Sequence, residues 1–260
     1  MELTKGTRAL VTGASRGIGR VLARQLAERG CAVGLVSRGR EGLEELAAEL
    51  PGDGHAVLPA DVGDRESIAA AVEQFGDVDV LVANAGVLDY GPFLDQPLDN
   101  AERMTRINWL GTVYTVHAAL PRMVERRRGH VVIVSSAAAL RTFPEGAVYG
   151  ATKAAQRGFA DGLRHELHET GVSVTTVFPG EVKTSIHDHQ MDHVPDWSEQ
   201  ENRADPEELV KLIVRAIERD ERYVHYPRNV RAMGLTQGIS AGLADRMVRR
   251  VKGPSAAPRL

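Results

Sequence analysis

Short apolar runs alternate along the chain with longer segments in which apolar residues recur every three or four positions. The first run, Arg8–Thr12, has the pattern of a buried strand. A group of glycines follows, and the apolar residues between Ile18 and Leu26 then recur at helical spacing up to Gly30, which is a typical helix stop. The first unit of the chain is therefore predicted to be a strand, a turn and a helix.

The same unit repeats along the chain. Strands are predicted at residues 8–12, 31–37, 55–60, 78–83, 131–135, 172–178 and 223–226, and the later helices at 41–50, 64–75, 99–127, 147–169 and 206–219. This alternation predicts an α/β fold, a Rossmann-type, doubly wound sheet of seven parallel strands with helices on both faces. Such sheets bind ligands at the carboxyl ends of their strands, beside the point where the strand order reverses.

The chain of 260 residues is long enough to bury one large core, and nothing in it resembles an interdomain linker. We interpret residues 1–252 as a single domain and 253–260 as a flexible tail. Within the domain, residues from about 184 to 205 are predicted to form a substrate lid, and residues from about 227 to 252 a C-terminal extension. The amphipathic pattern of this extension suits a membrane surface, the substrate cleft or another subunit, and its glycines favour packing on protein.

Charge and composition exclude several classes of protein. The 32 Lys and Arg against 35 Asp and Glu give a formal net charge of −3, so no bulk positive field attracts nucleic acid. The single cysteine, Cys31, cannot form an internal disulfide. The sequence shows no leader segment and no run of about 18 apolar residues that would span a membrane. A cytoplasmic protein without membrane insertion is expected.

Three glycines, Gly13, Gly17 and Gly19, lie where the first strand turns into the first helix. The free N–H groups and the dipole of a helix N-terminus favour an anion such as a diphosphate. The spacing is G-x-x-x-G-x-G and differs from the G-x-G-x-x-G fingerprint. A tight turn without a ligand is the alternative, but the position after the first strand of a repeating α/β pattern favours a dinucleotide.

The second predicted strand ends at Ser37 and Arg38, where NAD-binding chains of this design usually have an acidic residue. Arg38 and the turn residue Arg16 can donate charged hydrogen bonds to a ribose 2′-phosphate, so NADP(H) is favoured over NAD(H). The alternative is that both are ordinary surface arginines.

Tyr149 and Lys153 are four residues apart at the start of a predicted helix and therefore share one helix face. Half-ionising a phenol at pH 7 takes about 4 kcal/mol. A cation about 4 Å away supplies about that amount at an effective dielectric constant near 20. Ser136 follows a strand end and is placed to bind a carbonyl oxygen beside the phenol. The alternative is an ordinary pair on a helix surface.

Together these motifs resemble the short-chain dehydrogenase/reductase family. The residues that carry the resemblance are Thr12-Gly13-x-x-x-Gly17-x-Gly19, Asn84-Ala85-Gly86, Asn108, Ser136, Tyr149-x-x-x-Lys153 and Pro179-Gly180. The resemblance covers about residues 5–225, and the order and separation of the motifs agree with the family.

The resemblance implies a role for each of four residues. Tyr149 is expected to be the general acid in reduction and the base in oxidation, and Lys153 to lower its pKa and hold the nicotinamide ribose. Ser136 is expected to orient the substrate oxygen. Asn108 is expected to kink its helix and hold a water in a proton relay.

The resemblance also implies a set of cofactor-binding residues, with Asp61 near the adenine amino group and Val182 acting through its backbone. The set is Gly13, Ser15, Arg16, Gly17, Ile18, Gly19, Ser37, Arg38, Asp61, Val62, Asn84, Ala85, Gly86, Tyr149, Lys153, Pro179, Gly180, Val182 and Thr184.

The function predicted from the residues and the resemblance is hydride transfer between NADP(H) and a carbonyl or secondary alcohol. The residues expected near the substrate are apolar, which favours a lipophilic small molecule; they are Leu88, Phe93, Leu140, Phe143, Met191, Val194 and Trp197. A non-catalytic NADP(H) sensor and an epimerase or dehydratase are the alternatives. His187, His189 and His193 have spacings that suit zinc, but the proposed chemistry needs no metal, and no metal site is predicted.

Small residues form a stripe at four-residue spacing on the second long helix, at Ala154, Gly158 and Gly162. Such a stripe allows another helix to approach closely. In the family the two long helices commonly pair with those of a second subunit, so a homodimer or homotetramer is expected. Packing of the stripe inside the monomer is the alternative.

Overall fold

A computed structural model describes residues 1–184, 186 and 204–232. These residues form one seven-stranded sheet in the order β3-β2-β1-β4-β5-β6-β7, in which every neighbouring pair is parallel. The strands are β1 (Arg8–Thr12), β2 (Ala32–Ser37), β3 (Ala56–Pro59), β4 (Val80–Ala83), β5 (Gly129–Val134), β6 (Val172–Pro179) and β7 (Tyr223–Tyr226). The predicted Rossmann-type single-domain fold is confirmed, and the strand order reverses between β1 and β4.

Seven α-helices connect or follow these strands in the described part of the chain. They are α1 (Gly17–Glu28), α2 (Glu41–Glu49), α3 (Arg65–Phe75), α4 (Leu98–Met104), α5 (Gly111–Glu125), α6 (Ala147–Glu166) and α7 (Pro206–Arg219). The predicted bounds of β1, β7 and α7 match the structure, and most of the others differ by one to three residues at an end.

The central strands are buried on both faces, as parallel strands between two helix layers must be. Every residue of β5 is buried. One apolar cluster packs α1, α2 and α7 on one face of the sheet. A second cluster packs α3, α5 and α6 on the other face. The two helix layers hold the carboxyl ends of the strands at one edge, and the predicted site residues collect there.

The long helix predicted at 99–127 is helical from Leu98 to Glu125, but its hydrogen-bond period changes part-way along. A π-helical segment, Thr105–Leu110, separates α4 from α5. In a π-helix the backbone hydrogen bonds join residues five apart instead of four, and such segments are frequent at functional sites. Asn108 lies inside it, which agrees with the kink that the resemblance implied.

Several predictions lie outside the described residues. Most of the lid, most of the extension and the tail at 253–260 belong to this group, as do His187, His189, His193, Met191, Val194 and Trp197. Of the extension, residues 227–232 are described, and Val230 packs with Leu140 and Phe178. Among the described residues no helix is both long and apolar enough to cross a membrane.

Candidate active site

The turn from β1 to α1 presents free backbone donors. Gly13 and Gly17 have φ of +69° and +57°, a region that favours glycine. Arg16 precedes α1 without a side-chain cap, and the first turn of α1 has no acidic residue. A Cβ at Gly19 would lie 2.2 Å from the Gly13 oxygen, so only glycine fits there. The first N–H groups of α1 are therefore not capped by a side chain, and this turn fits the diphosphate of a dinucleotide.

Thr12 ties the ends of β1 and β4 together at the reversal point. Its hydroxyl accepts from the N–H of Asn84 at 3.0 Å and of Ala85 at 3.1 Å, and donates to the Val82 oxygen at 3.2 Å. Asn84 Nδ2 in turn donates to the Thr12 oxygen at 2.9 Å. The sequence analysis did not assign a role to Thr12, although a threonine at the last residue of the first strand was a visible signal.

The first turn of α2 lies beside the glycine turn, because a Cβ at Gly42 would lie 3.5 Å from Ser15 Cβ. The Ser37 hydroxyl donates to the Gly39 oxygen at 3.2 Å. Arg16 and Arg38 are exposed, and neither forms an ion pair with any other described residue. Arg38, directly after β2, and Arg16, in the glycine turn, are therefore exposed guanidinium groups without a carboxylate partner in the part of the chain that the structure describes.

Asp61 and Val62 follow β3 at the same edge of the sheet. The Asp61 carboxylate accepts from the Gly63 N–H at 2.8 Å, and the Asp61 N–H donates to Ser67 Oγ at 3.1 Å. Val62 is buried against Gly111, where a Cβ would lie 2.9 Å from Val62 Cγ2. These bonds fix the orientation of the Asp61 carboxylate.

Ser136, Tyr149 and Lys153 meet where β5 ends and α6 begins. The Ser136 hydroxyl lies close enough to the Tyr149 hydroxyl to lower the pKa of that phenol, and it accepts from the Ala138 N–H at 3.1 Å. Lys153 Nζ donates to the Val134 oxygen at 3.1 Å and lies 5.7 Å from the centre of the Tyr149 ring. Tyr149 and Lys153 are both buried. The predicted four-residue spacing thus places both groups on the inner face of α6.

Burial dominates the pKa values of this pair. It raises the pKa of Tyr149 to about 12, against a smaller opposite effect of the Ser136 hydrogen bond. It lowers the pKa of Lys153 to about 7. Lys153 Nζ is bonded to the Val134 carbonyl, and burial favours the neutral form of both groups, so the expected lowering of the Tyr149 pKa by Lys153 stays a prediction.

Asn108 joins three elements around this pair. It is fully buried, and its Oδ1 accepts from the Val87 N–H at 2.8 Å. Its Nδ2 donates to the Val87 oxygen at 2.9 Å and to Thr152 Oγ1 at 3.1 Å. A Cβ at Gly86 would lie 3.3 Å from Asn108 Oδ1 and 3.4 Å from Lys153 Nζ. Because Gly86 has no side chain, Asn108 Oδ1 and Lys153 Nζ can both border the position that a Cβ at residue 86 would occupy.

The segment after β6 contacts both β7 and the turn that follows β1. The Gly180 N–H donates to the Tyr226 oxygen at 2.7 Å. Val182 is buried and pairs with Ala204 in an isolated bridge. Thr184 reaches the glycine turn, since a Cβ at Gly17 would lie 3.3 Å from Thr184 Cβ. The structure thus brings Thr184 next to the turn that follows β1, whereas Pro179 and Gly180 lie beside Tyr226.

Comparison with known proteins decides the family. Residues 7–194 match the sequence profile of the short chain dehydrogenases. The chain belongs to this family. An uncharacterized oxidoreductase of Staphylococcus aureus (strain MW2) is 38% identical over 182 residues, which cover 68% of this chain and 79% of the relative.

Several solved structures are similar to this short-chain dehydrogenase over most of its length. One from Burkholderia cenocepacia in complex with NADP has a TM-score of 0.81 and 27% identity, and covers 98% of this chain and 100% of that chain. The 3-ketoacyl-(acyl-carrier-protein) reductase of Brucella melitensis, complexed with NADH, has a TM-score of 0.78 and 25% identity, and covers 85% and 97%. The chain is therefore an oxidoreductase of an NAD(P)-binding family, and the comparisons include both cofactors.

The apolar surroundings of Tyr149 in this short-chain dehydrogenase follow the sequence prediction in part. Leu88 and Phe143 belong to the cluster that contains Tyr149. The Phe143 ring lies 6.2 Å from the Tyr149 ring and 5.9 Å from the Tyr90 ring. Leu140 packs in a separate cluster, and Phe93 is 60% exposed. The sequence analysis missed Tyr90, which brings a third aromatic ring near the phenol.

Proposed function

We propose that this short-chain dehydrogenase transfers a hydride between NADP(H) and a carbonyl or secondary alcohol of a lipophilic small molecule. The observation that supports this most is that Lys153 Nζ lies 5.7 Å from the centre of the Tyr149 ring, with Ser136 close to the phenol, at the sheet edge that also holds the glycine turn. These three groups are suited to activating a carbonyl oxygen. The apolar cluster of Leu88, Phe143 and Tyr90 supports a lipophilic substrate.

The chain's own residues would handle the proton. The Ser136 hydroxyl would orient the substrate oxygen, and Tyr149 would give it a proton in reduction. A phenol whose pKa is about 12 is protonated at neutral pH, which suits a general acid. NADP(H), when bound, would supply or accept the hydride at the substrate carbon. Lys153 would hold the nicotinamide ribose, and Asn108 would hold a water in the proton relay.

The cofactor-binding residues proposed for this site are those named in the sequence analysis, from the glycine turn to Thr184. Preference for NADP(H) is supported by the exposed Arg16 and Arg38 and by the lack of a carboxylate at Ser37 and Arg38. A carboxylate there would repel a 2′-phosphate, whereas guanidinium groups bind it. A cytoplasmic location and a single domain over residues 1–252 belong to the same proposal.

A homodimer or homotetramer through α5 and α6 is also proposed. A Cβ at Gly158 or Gly162 would have no described atom within 4 Å, and Ala154 is exposed. The stripe is therefore not packed inside the described part of the monomer, which supports contact with another subunit.

The function is tested by following NADPH absorbance with a set of lipophilic ketones, aldehydes and secondary alcohols. The wild type should turn over at least one of them. Tyr149→Phe should lose about 10²–10⁴-fold in kcat while binding NADPH with unchanged affinity. The control is Tyr114→Phe, which removes a phenol from a different helix, α5. NADPH binding without turnover of any compound would favour the sensor, and full activity of Tyr149→Phe would exclude the acid/base role.

A further inference from the structure

Gln156 is a fully buried polar residue that the sequence analysis did not single out. It lies on α6, three residues after Lys153, and faces the π-helical segment. Its Nε2 donates to the main-chain oxygen of Asn108 at 2.9 Å and to Thr112 Oγ1 at 2.7 Å. The Thr112 hydroxyl donates to the same Asn108 oxygen at 2.8 Å. Gln156, Thr112 and the Asn108 carbonyl therefore form a closed triangle of hydrogen bonds.

These bonds occupy the main-chain carbonyl of Asn108. A carbonyl oxygen has two lone pairs for hydrogen bonding, and here Thr112 and Gln156 use both. Both protons of Asn108 Nδ2 are also used, by Val87 and Thr152. Oδ1 accepts one bond, from the Val87 N–H. Among the described contacts of the Asn108 carbonyl and amide, one acceptor position of Oδ1 is left open.

The open acceptor belongs to an atom next to Lys153. Oδ1 of Asn108 and Nζ of Lys153 both border the space that a Cβ at Gly86 would fill, at 3.3 and 3.4 Å from it. The main-chain carbonyl of Asn108, in contrast, faces α6 and α5.

The orientation of the Gln156 amide follows from its partners. A flipped amide would place Oε1 against the Asn108 oxygen, which repels it. In the observed orientation Oε1 is buried and has no described hydrogen-bond partner. Burying an unpartnered oxygen opposes folding. The two bonds donated by Nε2 must compensate for this, and an apolar side chain at position 156 would not supply them.

We infer that Gln156 is a positioning residue of the acid/base site. It holds the π-helical segment by the Asn108 carbonyl, and so keeps Asn108 Oδ1 beside Lys153. This inference rests on the proposed function, since it assigns Asn108 and Lys153 to the proton relay.

The first test is Gln156→Met, which keeps the volume and removes the donor. Amide exchange of Val87 in the cofactor-free protein reports the bond to Asn108 Oδ1, and it should become faster by about tenfold, the effect of about one lost hydrogen bond. With a substrate from the screen, kcat should fall by about the same factor while KM for NADPH is unchanged.

The matched control is Gln25→Met. Gln25 is also buried, donates from Nε2 to Glu207 Oε2 at 3.0 Å, and has an unpartnered Oε1. It lies between α1 and α7, away from Asn108. This variant should lower Tm in the same way but leave the Val87 exchange rate and kcat unchanged, which separates positioning from general loss of stability.

A second variant, Gln156→Glu, keeps the shape of the side chain. Its ability to donate a hydrogen bond depends on whether the carboxyl group is protonated. A carboxylate cannot donate to the Asn108 oxygen, whereas a protonated carboxyl can. Thr112 and Asn108, which bond to this position from α5 and the π-helical segment, are uncharged, and the charged neighbours along α6 are Lys153 and the exposed Arg157. Relative to the wild type, kcat of Gln156→Glu should recover as pH falls.

Two results would overturn the inference: wild-type Val87 exchange and kcat in Gln156→Met, or a Gln156→Glu variant whose kcat relative to wild type does not depend on pH. If Gln156→Met does not fold, Gln156→Glu decides. Failure of the proposed function is recognised separately, because the wild type would then turn over no carbonyl or alcohol. In that case, faster Val87 exchange in Gln156→Met would still support the placement of Asn108 by Gln156.

Discussion

The ammonium of Lys153 lies 5.7 Å from the centre of the Tyr149 ring, and both residues are buried on the inner face of α6. Nζ donates to the Val134 carbonyl instead of to the phenol. Burial shifts both pKa values toward the neutral forms, to about 12 for Tyr149 and about 7 for Lys153. Tyr149 is therefore protonated and neutral near pH 7, where Lys153 is partly protonated.

The lowered pKa of Lys153 predicts a pH-dependent stability. The unfolded chain binds this proton up to about pH 10.5, and the folded chain only up to about pH 7. The contribution of Lys153 to stability is therefore present above pH 10.5 and lost as pH falls toward 7. Between pH 7.5 and 9.5 the wild type should gain about 1.4 kcal/mol per pH unit over Lys153→Met. Urea unfolding of both proteins across this range checks it, and parallel curves would contradict it.

Buried His130 should make the protein sensitive to acid. Burial lowers its pKa from 6.5 to about 4, and its ring Nε2 is 2.8 Å from Thr175 Oγ1. The unfolded chain takes up this proton near pH 6.5, so the contribution is present above pH 6.5 and lost as pH falls to 4. His130→Gln has no titrating side chain at this position. As pH falls over this range, its free energy of unfolding should decrease by up to about 3 kcal/mol less than that of the wild type. Denaturant unfolding at pH 7 and pH 4.5 measures this loss in both proteins. If the wild type and His130→Gln lose the same free energy of unfolding, His130 is not the cause of the acid sensitivity.

Arg38 should control the choice of cofactor. Replacing it with aspartate removes a charged donor and adds repulsion, so Arg38→Asp should weaken NADPH binding by about 10–100-fold, the value of one or two charged hydrogen bonds. NADH binding should be unchanged or stronger. Fluorescence titration with both cofactors measures the ratio. Arg219→Asp, the same charge change in the last turn of α7, is the control, and an unchanged ratio in Arg38→Asp would refute the assignment.

The small-residue stripe predicts how subunits associate. Gly158 is exposed on α6, and no described atom lies within 4 Å of a Cβ placed there. Gly158→Glu should fold normally but sediment as a monomer, because a charged side chain blocks the approach of a second helix. Gly158→Ala should remain associated and be more stable by about 1 kcal/mol, the helix-propensity difference. A wild type that sediments only as a monomer at micromolar concentration would reject the interface.

The positions of the elements were largely predictable, since their signals are local. β1, β7 and α7 have the predicted bounds, because strand and helix periodicities are set by which residues along the chain are apolar. The glycine turn and the four-residue spacing of Tyr149 and Lys153 were equally visible, since both groups belong to one turn or one helix. Thr12 and Gln156 were missed because their importance lies in partners distant along the chain.

The sequence by itself thus determined the α/β repeat, the glycine turn and the spacing of Ser136, Tyr149 and Lys153. The tertiary structure decided the order of the strands and the π-helical segment around Asn108. It also decided the burial of Tyr149 and Lys153, which shifts both pKa values toward the neutral forms. The physical reason is that periodicity depends on neighbours along the chain, whereas burial and hydrogen-bond partners depend on residues brought together only by folding.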